Sequence, residues 1–116
     1  MNDGIHLEAL LAASAGTGRQ QLALFGLLSL GITDLLANGL IGASNALRVF
    51  FNAENCSFVR KRLRDKTADE IMSRGVQLPD LFDALPAEEA QREFQRELAA
   101  LRSLCLKLLE EKQLVA

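Results

Sequence analysis

Apolar residues recur along this chain every three or four positions, which is the spacing of helices that bury one face. The clearest case has five residues spaced four, three, four and three apart: Phe94, Leu98, Leu101, Cys105 and Leu108. These five residues form the predicted seam of a long helix. Neighbouring leucines widen the apolar stripe beyond that of a two-stranded coiled coil. The pattern therefore predicts a bundle helix that packs against more than one neighbour.

Turn and capping residues divide the rest of the chain into further helices. Thr17 and Gln20 fit a capping box, in which two side chains satisfy the first free N–H groups of a helix. Asn38-Gly39 is a typical helix end, and Pro79 and Pro86 suit the first residue of a helix. No segment alternates between apolar and polar residues for long enough to form a strand. We therefore predict an all-α compact bundle with helices at 5–14, 18–30, 34–38, 44–65, 68–74, 79–84 and 86–113.

Two glycines and a second capping box place the inner boundaries of these predicted helices. Gly31 and Gly75 can adopt the left-handed backbone conformation that commonly ends a helix, so each is predicted to stop one. Thr67 and Glu70 fit another capping box, which predicts a boundary between helices near Asp65 to Lys66.

The chain is predicted to form a single domain, 1–116, because no repeat or long linker separates two units. Residues 1–4 are expected to be disordered. The last predicted helix would be about 40 Å long, which exceeds what a domain with a radius of gyration of about 13–14 Å covers. Part of its apolar face is therefore predicted to meet a second copy of the chain, which would make the protein a homodimer.

The stretch from Phe50 to Asp65 mixes polar residues into an apolar pattern. If residues 44–65 form one helix, two apolar lines run along it: Leu47, Phe51 and Phe58 on one, and Val49, Cys56 and Leu63 on the other. Four polar residues fall between these lines and form the predicted partner- or ligand-binding surface: Arg48, Asn52, Asn55 and Arg62.

This surface has three interpretations. As a ligand pocket, its guanidinium and amide groups could hold a carboxylate or phosphate. As a structural network, its buried asparagines could fix the register of a helix pair or a dimer. If the helix breaks between Asn52 and Asn55, however, both asparagines become ordinary helix caps.

The charge balance weakens the case for nucleic-acid binding. Thirteen basic and fifteen acidic residues give a net charge of -2, so no overall positive potential attracts nucleic acid. Residues 60–66 carry five positive charges, but no aromatic residue among them could stack a base. The acidic stretch at 80–97 could neutralise this basic run, within the chain or across a dimer. Nucleic-acid binding is therefore expected to be absent.

The sequence lacks the residue combinations of common catalytic and metal sites. His6 is the single histidine, so no histidine-based catalytic group or His/Cys metal site can be assembled. Cys56 and Cys105 lack the spacing of a metal or redox motif and are expected to be reduced thiols in the cytoplasm. We therefore predict a non-enzymatic protein that uses neither a metal nor a cofactor.

Neither of two apolar segments in the chain meets the requirements for export or for membrane insertion. Residues 5–13 lack a preceding Lys or Arg, as a secretory signal would require. The uncharged segment 20–33 is shorter than the roughly 20 residues of a membrane-spanning helix. A cytoplasmic location without membrane insertion is therefore expected.

These features together predict a small cytoplasmic protein that acts as an interaction or regulatory module through helix–helix contacts with an unidentified protein. Two alternatives are kept. One is a nucleic-acid-binding regulator that uses the basic run at 60–66. The other is a sensor of a small anion.

Overall fold

The computed structural model describes residues 4–14 and 16–112 as an all-helical bundle, which confirms the predicted fold class. The helices are α1 (Leu7–Ser14), α2 (Gly18–Ala37), α3 (Ala43–Val49), α4 (Ala53–Phe58), α5 (Lys66–Ala84) and α6 (Ala87–Glu111). A π-helical stretch, Val59–Leu63, continues directly from α4. The disorder predicted at residues 1–4 lies largely outside the described residues. Residue 113, the last of the helix predicted at 86–113, also lies outside them.

Helix α6 packs against both α2 and α5, as the breadth of its apolar stripe predicts. All five predicted seam residues are buried: Phe94, Leu98, Leu101, Cys105 and Leu108. The molecule measures 45 × 37 × 23 Å, so a helix of about 38 Å fits along its longest dimension. The chain itself covers the seam, and the length of α6 therefore gives no reason for a second subunit. Self-association stays a prediction.

Helix α2 is longer than predicted, because it continues through Gly31 and joins the segments predicted at 18–30 and 34–38. Ile32 and Leu36 continue its buried face, and this packing holds the helix together beyond the glycine. Gly31 itself is exposed, and a Cβ added there would meet nothing within 4 Å. A glycine in mid-helix is less favourable than alanine by about 0.5–1 kcal/mol, and none of the residues that the structure describes fills the space that it leaves.

Helix α5 also joins two predicted helices, 68–74 and 79–84, because neither Gly75 nor Pro79 ends it. Gly75 is buried, and a Cβ there would lie 2.2 Å from the ring of Phe51. The glycine therefore permits close packing and is not a helix stop. Pro79 lacks the N–H that would bond to the Gly75 carbonyl, yet Leu78 is buried and helps to hold this part of α5 against the core.

The local capping signals predicted some helix ends correctly and others incorrectly. The Thr17–Gln20 capping box is present, and Gly39 adopts a positive φ of 71° just after α2. The box predicted at Thr67 is wrong, because the N-cap of α5 is Asp65, whereas the helix boundary predicted near Asp65 to Lys66 is confirmed. The Asp65 side chain accepts a hydrogen bond of 3.0 Å from the backbone N–H of Ala68. An aspartate at this position stabilises a helix start as well as a hydroxyl does.

The single helix predicted at 44–65 is wrong: the chain breaks between α3 and α4. Phe50 and Phe51 are both buried, at 0% and 1% exposure, and their rings pack edge to face with centroids 5.1 Å apart. In one continuous helix these adjacent side chains would point about 100° apart. The break lets both rings enter the core. Arg64, in the left-handed conformation at φ 52°, then ends the π-helical stretch.

Candidate functional site

Asn52 organises the break between α3 and α4. Its side-chain oxygen accepts a hydrogen bond from the backbone N–H of Asn55 at 3.0 Å, which makes it the N-cap of α4. Its side-chain nitrogen donates to the backbone carbonyl of Arg48 at 3.0 Å, near the end of α3. One carboxamide thus satisfies a free group from each helix end. This is the capping role that was expected if the helix broke here.

Asn55 joins the break to the start of the described chain. Its side-chain oxygen accepts from the backbone N–H of Leu7 at 3.1 Å. Its side-chain nitrogen donates to the carbonyls of Ile5 and Phe50 at 2.8 and 2.9 Å. Both N–H bonds of the amide are therefore used, and the residue is only 1% exposed. A buried amide with these partners is satisfied without a bound anion.

Arg62 lies apart from the two asparagines and is exposed. Its guanidinium pairs with the carboxylate of Glu8 on α1 at 3.3 Å. Arg48 is also exposed, although its backbone carbonyl bonds to Asn52. The projection at 100° per residue fails here because the chain breaks before α4 and then adopts a π-helical turn. The structure therefore connects Arg48, Asn52 and Asn55 around the break and directs Arg62 to α1.

A cleft of about 570 Å³ lies between the 43–63 segment and α5, and we call it the α4–α5 cleft. Apolar side chains and one thiol form much of its lining: Leu47, Phe51, Cys56, Met72 and Val76. Phe51 and Met72 are buried, whereas Val76 is 39% exposed at the surface of α5. The apolar lining of this cleft and the exposed side of Val76 form one surface that the apolar side chains of another molecule can cover.

Polar residues border the α4–α5 cleft and include Asn52, Ser73 and Gln77. Arg60 and Asp69 also line it, with their side chains 3.9 Å apart. Both members of this ion pair are well exposed, at 69% and 45%, so the pair is worth only about 0–1 kcal/mol. A partner group could therefore compete for either charge at little energetic penalty.

The thiol in the cleft is not set up for covalent chemistry. Burial raises the pKa of the Cys56 thiol, and the charge of Arg60 only partly opposes this rise. Burial also raises the pKa of Cys105, on the buried face of α6, to about 12. Since the thiolate is the reactive form, both residues stay protonated and weakly nucleophilic at neutral pH. The cleft therefore offers shape, apolar surface and one ion pair.

The basic run and the acidic stretch do not pair with each other among the residues that the structure describes. Arg60 pairs with Asp69, and Arg62 pairs with Glu8. In the acidic stretch, Glu97 instead binds Arg74 at 3.1 Å. Both stretches therefore leave charged side chains on the surface, where they can act on a partner.

The α5 side of the cleft was missed in the sequence, and the cause is Gly75. Because Gly75 was predicted to end a helix, Met72 and Val76 were assigned to different segments, although both lie on α5. The apolar spacing did contain a usable signal. Ile71, Gly75 and Leu78 follow each other at four and three positions, which is the period of one buried helix face.

Two further properties of the described residues concern metal ligation and membrane insertion. Within residues 4–14 and 16–112, no group of three or more His, Cys, Asp or Glu side chains is placed to hold a metal ion. Helix α2 is long and apolar enough to cross a membrane, a property that the core helices of soluble proteins share. Helix α2 has 20 residues and extends beyond the uncharged segment 20–33 on both sides, so the argument that this segment is too short to span a membrane is wrong for α2.

The α4–α5 cleft and the charged residues around it are the surface features that bear on function. No protein-family model, no curated protein and no solved structure matches this chain.

Proposed function

We propose that the protein is a non-enzymatic interaction module that binds an apolar helix of a partner protein in the α4–α5 cleft. The observation that carries this proposal is Val76, 39% exposed beside a cleft of about 570 Å³ with a buried apolar floor. Amphipathic helices commonly bind grooves of this kind through apolar side chains at positions i, i+3 or i+4, and i+7.

The dimensions of the cleft suit such a helix. Its lining follows α5 from Asp69 to Gln77, a distance of about 12 Å at the helical rise. The apolar anchors at i and i+7 of a partner helix are about 10 Å apart. A helix lying along α5 could therefore place successive anchors over Met72 and beside Val76. Met72 can adapt to different anchors because its side chain is unbranched and polarisable.

The charges around the cleft indicate the polarity of the partner. Arg60 is the basic residue in the lining of the cleft, and its side chain is more exposed than that of its ion-pair partner Asp69, at 69% against 45%. A partner with an acidic residue next to its apolar anchors would meet Arg60 and compete with Asp69 for it. We therefore propose an apolar helix with an acidic end as the partner.

The two alternative functions have weaker support. A small-anion sensor needs its donors gathered at one place, but Arg62 binds Glu8 and the Asn55 side chain binds backbone groups. A nucleic-acid-binding regulator would use the basic run at 60–66, but the net charge is -2 and no aromatic residue in that run could stack a base. Both alternatives stay open to the binding experiment below.

A displayed library of helical peptides, randomised on one face and panned against the intact protein, tests the proposal. We expect enriched peptides to carry apolar residues at i, i+3 or i+4, and i+7, with an acidic residue near one end. Val76→Lys should weaken their binding by about tenfold or more, because it places a charge in the apolar contact. Arg60→Glu should select against peptides with an acidic end.

Leu40→Lys is the matched control, since Leu40 is 70% exposed and lies outside the cleft. It should leave peptide binding unchanged. Thermal unfolding of each variant should show that it folds like the natural chain. The proposal fails if no apolar helical peptide is enriched, or if enriched peptides bind Val76→Lys as tightly as the natural protein. Enrichment of short anionic ligands or of nucleic acid in parallel binding assays would favour the alternatives.

A further inference from the structure

The outer face of α2 is a second apolar surface, separate from the α4–α5 cleft. Leu27 and Leu35 are 45% and 37% exposed on this helix, and Gly31 is exposed between them. Leu24 extends the same face and is only partly buried. Between Arg19 and Asp34 the helix contains no charged residue. This is an uncharged surface on a helix whose opposite side already fills the core.

The residues on this face have the spacing of a helix-pairing seam. Positions 20, 24, 27, 31 and 34 follow one another at intervals of four, three, four and three. Residues seven before and seven after Leu27 both belong to the seam. An antiparallel copy centred on Leu27 places Leu24 within one residue, about 1.5 Å along the helix, of Gly31 of the other copy, so a large side chain lies beside the position that has none. The face is thus complementary to itself under a two-fold rotation.

The charges at the two ends of α2 support the same antiparallel arrangement. Arg19 is exposed near the start of the helix and has no ion-pair partner within the described ranges. Asp34 lies near the other end, and its side chain is 47% exposed although it pairs with Arg102 at 3.5 Å. An antiparallel neighbour brings Arg19 of one copy close to Asp34 of the other, and symmetry repeats the contact. A parallel neighbour would bring like charges together.

Gly31 gives an independent reason to expect a close neighbour. It lies in mid-helix, where glycine is less favourable than alanine, and its backbone has no positive φ that would require glycine. A Cβ there would meet no atom of residues 4–14 and 16–112 within 4 Å, apart from its own helix and chain neighbours. The missing side chain is useful only if another backbone or side chain approaches from outside.

We infer that α2 pairs with α2 of a second copy of this chain in an antiparallel two-fold dimer, with Leu27 at its centre. A membrane surface is the competing occupant, because α2 is long and apolar. Helices that lie on membranes, however, usually carry several Lys or Arg residues beside the apolar face. Here α2 contains one basic residue, Arg19, and one acidic residue, Asp34. Since one helix face is smaller than the roughly 800 Å² per partner of a stable interface, the dimer should be weak and reversible.

Sedimentation equilibrium of the intact protein, from low to high micromolar concentration, tests this inference. The natural chain should show a reversible monomer–dimer equilibrium. Leu27→Glu should weaken dimerisation by about tenfold or more, because two carboxylates would meet at the two-fold axis. Gly31→Leu should also weaken it by filling the space for Leu24. Val76→Lys, in the cleft, should leave the dimer unchanged.

A cysteine placed on the proposed axis tests the geometry. Leu27→Cys should form a covalent dimer under mild oxidation, whereas Gln95→Cys, exposed on α6, should not exceed the background from the natural cysteines. The inference is overturned if the natural chain is monomeric throughout, if Leu27→Glu dimerises normally, or if Val76→Lys alone removes the dimer. It is also overturned if the monomer co-sediments with mixed phosphatidylcholine and phosphatidylglycerol vesicles and Leu27→Glu abolishes that binding.

The dimer and the peptide-binding function can fail separately. Leu27→Glu should still bind the peptides selected for the cleft, because Leu27 lies on α2 and does not line the cleft. Loss of dimerisation with peptide binding intact would support two independent surfaces. A variant that loses both activities while it stays folded would contradict the separation of α2 from the cleft.

Discussion

Helix α6 and the 43–63 segment are held in the same small bundle by different kinds of interaction. Helix α6 runs unbroken for 25 residues, and all of its buried residues are apolar or thiol-bearing. The 43–63 segment consists of α3, α4 and the π-helical stretch, and it contains the buried amide of Asn55. Periodic packing fixes the position of α6, whereas a few specific hydrogen bonds fix the shape of the 43–63 segment.

The difference shows where the molecule keeps surface for function. A continuous helix with a buried stripe satisfies its own backbone and leaves few irregular features. The helix ends at the break between α3 and α4 instead leave backbone groups without a helical partner, and the side chains of Asn52 and Asn55 bond to some of them. The bends that result separate this segment from α5 and leave the α4–α5 cleft between them.

The largest effect is expected in α6, from Leu101→Ala. Leu101 is fully buried, and emptying a buried leucine site destabilises a protein by about 2–5 kcal/mol. Denaturant unfolding followed by circular dichroism measures the change. Leu40→Ala, at a 70% exposed position, is the control and should change the unfolding free energy by less than about 0.5 kcal/mol. An equally small change for Leu101→Ala would show that packing of the seam does not hold α6.

Asn55→Leu should have the next largest effect, because it removes a satisfied buried amide. The backbone groups of Ile5, Leu7 and Phe50 would lose their partner. We expect the unfolding free energy to fall by about 1–3 kcal/mol, together with faster proteolysis near Leu7. Asn45→Leu, at an exposed asparagine of α3, should have little effect. Equal stability of Asn55→Leu and the natural chain would mean that packing alone holds the 43–63 segment.

Gly75→Ala tests the contact between the two regions. The new Cβ would lie 2.2 Å from the Phe51 ring, so the ring has to move. Overpacking typically destabilises by about 1–3 kcal/mol, and the better helix propensity of alanine offsets about 1 kcal/mol of this. Gly31→Ala, with open space around the new methyl group, should instead stabilise the monomer. If both variants gain stability, the close approach of α5 to Phe51 is not real.

Asn52→Ala should have the smallest effect of the series. Loss of an asparagine N-cap destabilises a helix by about 1 kcal/mol. Asn52→Asp keeps the capping oxygen, so its unfolding free energy should fall by less than that of Asn52→Ala. Unfolding free energies measured side by side give the comparison. A loss in Asn52→Asp as large as that in Asn52→Ala would show that the bond from the side-chain nitrogen to the Arg48 carbonyl dominates over the cap.

The sequence predicts those parts of the fold that depend on neighbours within one or two helical turns. The seam of α6, the capping box at Thr17 and the turn at Gly39 are of this kind. Their interactions are set by residues three, four or seven positions apart, which a single sequence displays directly. These elements were therefore predicted with useful boundaries.

The remaining features depend on contacts between residues far apart in the chain. Gly75 resembles a helix stop until Phe51 is known to pack against it, 24 positions earlier. Asn55 was singled out in the sequence, but its partner Leu7 lies 48 residues away. The cleft depends on the first of these contacts, since Phe51 lies in its lining and Gly75 lets α5 approach the Phe51 ring. Local propensity carries no information about such pairs.

Native-state hydrogen exchange compares the two regions within one molecule and tests the central claim most directly. The Leu7 amide, which donates to the Asn55 side chain, should open with a free energy clearly below that of global unfolding. The Leu101 amide, in the middle of α6, should exchange only when the whole protein unfolds. Asn55→Leu should accelerate hydrogen exchange of the Leu7 amide much more than that of the Leu101 amide. Equal opening free energies for the two amides, or a Leu7 rate that Asn55→Leu does not change, would contradict the account.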